Sequence, residues 1–138
     1  MRKRTLAREF ALQILYQWEI TKDDIEFCLE NFWQERAEKE LDAELKNFTA
    51  KLVKGTVSCL KEIDQKISSY AQNWQLERMA LVDRNVMRLG CFELLYCDDI
   101  PSKVSINEAV EIAKRFSSPE AGKFVNAILD KIKAEIGK

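Results

Sequence analysis

The most restrictive chemical feature of the chain is an absence: none of its 138 residues is histidine. That removes Ser-His and Cys-His nucleophile pairs, every histidine-containing metal triad, and the side chain that most often acts as general base near neutral pH. Carboxylates are plentiful, but the adjacent ones, Asp23/Asp24 and Asp98/Asp99, stand at expected turns or helix starts, where acids accept backbone N–H bonds and complement the helix dipole. Cys28, Cys59, Cys91 and Cys97 form no C-x-x-C pair and read as free thiols, with Cys59 and Cys91 packing as small apolar side chains. Neither G-x-G-x-x-G nor G-x-x-x-x-G-K-[ST] occurs, so no phosphate-cradling loop is encoded. The expectation is a non-enzymatic protein with no catalytic residue, metal or cofactor.

What remains is a basic run. Arg2, Lys3, Arg4 and Arg8 fall in the first eight residues without an acid among them, and Tyr16 follows on the polar side of the same expected helix. Cations neutralise phosphates, arginine planes stack on bases, and an exposed aromatic ring offers a face to an unstacked base, a combination suited to single-stranded RNA. Arg88 and Lys123 extend that basic surface if their helices pack beside the first. The same residues also fit a charged terminus that merely keeps the chain in solution, with Tyr16 at the core edge. Net charge is −1, yet residues 19–44 hold ten acids against Lys22, Arg36 and Lys39, so charge is polarised along the chain. That acidic stretch reads as a solvated face.

The elements that position these residues are helices. Only four Gly and two Pro occur, and no segment alternates with a period of two. The first helix is expected over about 5–19, with Ala7, Phe10, Ala11, Ile14, Leu15 and Trp18 inward and Thr5, Arg8, Glu9, Gln13, Tyr16 and Gln17 outward. Thr21 stands three residues before Asp24 and is read as the cap of a second helix through Ile25, Leu29, Phe32 and Trp33. From Leu41 to Trp74, apolar positions in steps of three and four predict one long helix, and another follows over 83–97. Ser105 and Glu108 form a capping box that starts a helix over 109–116, and Ser118-Pro119 opens the last one. The length suits one domain, and the longest apolar run, Leu89 to Tyr96, is far below the roughly 18 residues of a membrane span. With no secretory signal in its first residues, the chain reads as cytoplasmic.

Two stretches go further. Residues 7–18, AREFALQILYQW, resemble the arginine-bearing first helix of the NusB family of transcription antitermination factors. Residues 83–97, followed by IPSKVSINEAVEIAKRF and GKFVNAILDKI, resemble that family's C-terminal half almost continuously. The resemblance implies an all-α fold: a compact bundle of six to seven helices forming one domain over 1–138, with helical subdomains over about 1–75 and 76–138. It implies binding of the boxA element of nascent RNA together with NusE, a ribosomal protein of the small subunit, and through it a role in the antitermination complex of RNA polymerase, notably on ribosomal RNA operons. Position by position it assigns RNA contacts to Arg8, Tyr16, Arg88, Lys123 and Phe124, with Arg2, Lys3 and Arg4 in the basic leader. It assigns the protein partner's surface to Asp83, Glu108 and Phe116. A homodimer of the free protein stays open. Two other readings stand beside this one: the NusB-like domain of an RNA methyltransferase, and a helical module that binds only protein. Four phosphate contacts at about 0.7 each set an expected log-log salt slope near −3.

Overall fold

The computed structural model describes residues 2–36, 42–71 and 76–138, and every regular element among them is helical. The chain divides into two compact units, Met1–Ser58 and Cys59–Lys138. Among the described residues no helix is long and apolar enough to cross a membrane.

The first unit holds α1 (Lys3–Thr21), α2 (Ile25–Gln34) and α3 (Ala43–Ser58). Ala7, Ala11, Ile14 and Leu15 of α1 are buried as the periodicity requires, joined by Leu12, while Phe10 and Trp18 are half-buried. α1 ends where Lys22 turns into the left-handed region (φ 59°) and donates its N–H to the carbonyl of Trp18 at 2.8 Å. Thr21 is therefore not the cap of α2. Thr21 still belongs to α1, and the Asp24 carboxylate accepts the Glu26 N–H at 3.1 Å instead. α1 and α2 join through an edge-to-face cluster of Phe10, Phe32 and Trp33, with the Arg36 guanidinium 3.7 Å from the centre of the Phe32 ring. α1 and α3 meet at Thr49, whose hydroxyl donates to Leu45 O at 2.8 Å and lies 3.5 Å from Ala7 O.

The single helix expected from Leu41 to Trp74 is two helices, α3 and α4 (Leu60–Tyr70), broken at Cys59 (φ −107°, ψ 19°). Leu41 and Trp74 lie outside the described residues. Thr56 and Ile63, buried on either side of the break, are seven residues apart, so the apolar phase runs through it undisturbed. Cys59 makes no side-chain cap, which leaves no start signal in the sequence. The boundary between the two units accordingly falls at this break and not near residue 75.

The second unit adds α5 (Leu81–Tyr96), α6 (Ser102–Phe116) and α7 (Pro119–Glu135) to α4. α5 is its axis: every residue from Asn85 to Leu94 is buried. Gly90 lets α6 and α7 close in, because a Cβ there would sit 2.6 Å from Leu129 Cδ1 and 3.3 Å from Ala109 Cβ. α6 begins three residues before the expected capping box. Ser105 lies inside the helix, and its buried hydroxyl donates to Glu93 Oε1 at 2.8 Å. With α6 already under way at Ser102, Ser105 has no free helix-start N–H to cap, and its hydroxyl serves packing as a donor to a buried carboxyl. α7 starts as expected, with Ser118 Oγ accepting the Ala121 N–H at 3.1 Å and Pro119 in the first turn.

Candidate nucleic-acid interface

The basic residues sit at the very start of α1, with Arg2 as N-cap and Lys3 and Arg4 in the first turn, which holds no acid. Cations at the positive end of a helix dipole lose about 0.3–1 kcal/mol each when exposed. A helix start that carries like-signed side chains makes a place for an anion.

α3 organises this charge. Lys3 Nζ lies 3.4 Å from Asp42 and 3.6 Å from Glu44. The hydrogen bond to Asp42 and the nearby carboxylates hold the Lys3 ammonium above its ordinary pKa. Asp42 is held below the usual carboxylate value, chiefly by accepting the Leu45 N–H and further by Lys3. The Arg4 guanidinium lies over the Phe48 ring, 4.4 Å from its centre, and Arg8 approaches the same ring at 5.5 Å. Arg8 is only 4% exposed, which corrects its placement on the solvent side: a long side chain at the edge of the polar face is drawn under cover by an aromatic neighbour. Tyr16 is 40% exposed.

In the second unit, Arg88 is not an open cation. Its Nε and Nη2 donate to Asp64 Oδ1 and Oδ2 at 2.8 and 2.9 Å, Nη1 donates to Asn85 Oδ1 at 3.1 Å, and the residue is 5% exposed. A forked guanidinium-carboxylate pair at this burial is structural, so the expected RNA contact through Arg88 is withdrawn. Lys123 is exposed near the start of α7, and Phe124 is half-buried. Phe116 ends α6 with 43% of its surface in solvent, while Asp83 and Glu108 are half-buried. Asp83 Oδ1 is shielded from solvent with no hydrogen-bond partner among the described residues.

Burial governs two of the four thiols. Burial pushes the Cys91 thiol up to about 12, and burial likewise raises Cys28. Among the described residues no three potential ligands group together to hold a metal ion.

Helical units, a cationic helix start and an exposed tyrosine describe a binding protein of the all-α class. Residues 5–134 match the sequence model of the NusB family, and the chain belongs to that family. It is 43% identical over 140 residues to the transcription antitermination protein NusB of Thermodesulfovibrio yellowstonii, covering 96% of this chain and 93% of that protein. With the Myxococcus xanthus protein of the same name it shares 45% identity over 139 residues, covering 100% and 99%. The fold superposes on that of T. maritima NusB with a TM-score of 0.87 at 40% identity, over 98% and 92% of the two chains. It also superposes on a chain from the complex of antitermination factors NusB and NusE with double-stranded RNA, with a TM-score of 0.86 at 27% identity over 98% of each.

Proposed function

We propose that the chain is a non-catalytic transcription antitermination factor that acts in the cytoplasm. It binds boxA-type single-stranded RNA through the start of α1, jointly with NusE. The match to antitermination proteins over nearly the whole chain carries this reading, and the cationic helix start supplies its physical basis. Arg2, Lys3 and Arg4 neutralise phosphates. Arg8 holds the base of that cluster, Tyr16 stacks on a base, and Lys123 and Phe124 contribute a further cationic and aromatic contact. Asp83, Glu108 and Phe116 contact the protein partner: a shielded carboxylate oxygen gains from a donor that a partner brings, and an exposed phenylalanine gains from being covered. The partnered RNA complex is then retained by RNA polymerase.

An electrophoretic shift with a boxA-like RNA, an unrelated single strand and a duplex, each with and without NusE, tests the reading. A shift that favours the boxA-like strand and tightens with NusE is expected. Equal binding to all three RNAs, or none with NusE present, overturns it.

A further inference from the structure

We infer that Phe48 is a positioning residue for RNA binding, a stacking platform on α3 that orients the Arg4 guanidinium for phosphate while the covered Arg8 packs against the same ring. The inference rests on the reading that the start of α1 contacts RNA. Both guanidinium centres lie over this one ring, at 4.4 and 5.5 Å, while the ring itself is buried. One turn earlier on α3, Glu44 pairs with Lys3, and the Thr49 hydroxyl beside Phe48 reaches back to Ala7 O. The first turns of α3 thus engage residues 3, 4, 7 and 8 of α1, the stretch whose like charges oppose one another and the helix dipole.

The chemistry of stacking explains why a ring suits this task and a carboxylate does not. A ring engages the face of a guanidinium, whereas hydrogen bonds and ion pairs use its N–H edge. Arg88 shows the opposite arrangement, its edge forked onto Asp64. A stacked arginine has surrendered much of its rotamer freedom before RNA arrives, so less is lost on binding. An aliphatic side chain of similar volume at position 48 fills the core but offers no negative face.

The test is RNA affinity, measured by fluorescence anisotropy over a range of salt, for Phe48→Leu, Phe48→Tyr, Arg4→Lys, Arg4→Ala and the double variant Phe48→Leu/Arg4→Ala, with melting curves for each. Phe48→Leu is expected to weaken binding about three- to tenfold and Phe48→Tyr to stay within about twofold of the parent. The loss from Phe48→Leu should shrink when Arg4 is already alanine, a coupling that general destabilisation does not produce. Arg4→Lys, at an exposed position, keeps the charge and loses the plane. It should weaken binding about threefold without changing the salt slope. A folded Phe48→Leu that binds like the parent while Arg4→Ala binds weakly overturns the inference and leaves RNA binding by α1 intact. If Phe48→Leu does not fold, Arg4→Lys decides, and parent-like binding by it overturns the inference. Parent-like binding by Arg4→Ala overturns the underlying reading as well.

Discussion

Replacing Asp64 with asparagine leaves the buried Arg88 guanidinium facing an amide where it had a forked carboxylate. The two bonds at 2.8 and 2.9 Å join α4 to α5, and the side chains are 6% and 25% exposed. Breaking a fully buried pair costs about 3–5 kcal/mol, because the surviving charge is left uncompensated. Solvent at the Asp64 end and the remaining bond to Asn85 reduce this, so about 2–3 kcal/mol is expected. With a urea dependence of about 1–3 kcal/mol per molar, the unfolding midpoint should fall by roughly 0.7–3 M. Arg88→Met should be milder, because the orphaned partner is then the more exposed carboxylate, which water can solvate. Folded Arg88→Met should bind RNA like the parent. A loss below about 0.5 kcal/mol for Asp64→Asn means a solvent-screened surface bridge, and that result, or RNA binding lost in folded Arg88→Met, refutes the structural role of the pair.

Three further outcomes follow from the packing and the charge pairs. Gly90→Ala should destabilise by about 1–3 kcal/mol in thermal melts, since its Cβ meets a wholly buried Leu129, whereas Gly122→Ala, whose Cβ comes 2.8 Å from Lys114 Cγ on an exposed side chain that can shift, should stay within about 1 kcal/mol of the parent. Ser105→Ala should cost about 1–3 kcal/mol in urea unfolding, because it removes a donor from the buried Glu93 carboxyl. The Glu135 carboxylate is held below its ordinary pKa of 4.5 by Lys66 and then by Tyr70, so the unfolded chain takes up its proton first as pH falls. The stability from this group is therefore present above the ordinary value and lost as pH drops through the lower folded one, and Glu135→Gln should flatten that part of the acid limb in melting curves.

Helix identity was legible from the apolar phase, and so was the cap at Ser118, because each depends on local spacing. The break at Cys59 was not, since Thr56 and Ile63 keep one phase across it. The capping box at Ser105 was a local pattern overruled by a partner twelve residues away, the Glu93 carboxyl. The basic run was visible as charge, but its sorting was not. Arg8 and Arg88 looked alike in sequence, and only tertiary packing sets one over an aromatic ring and the other on a carboxylate. Phe48 read as one more apolar position. Its spacing of four from Glu44, which places an acid and a ring on one helix face, was the only available hint that α3 organises the start of α1.

The central claim, that the start of α1 is a phosphate-binding surface, is tested most directly by the salt dependence of RNA affinity for the parent and for Arg2→Ala/Arg4→Ala. With Arg8 covered, three contacts from Arg2, Lys3 and Arg4 at about 0.7 each predict a log-log slope near −2 for single-stranded RNA, shallower than four open cations give. The double substitution should bring that slope to about −0.7 and weaken binding at every salt concentration. A parent slope near zero, or an unchanged slope and affinity after the double substitution, contradicts the account.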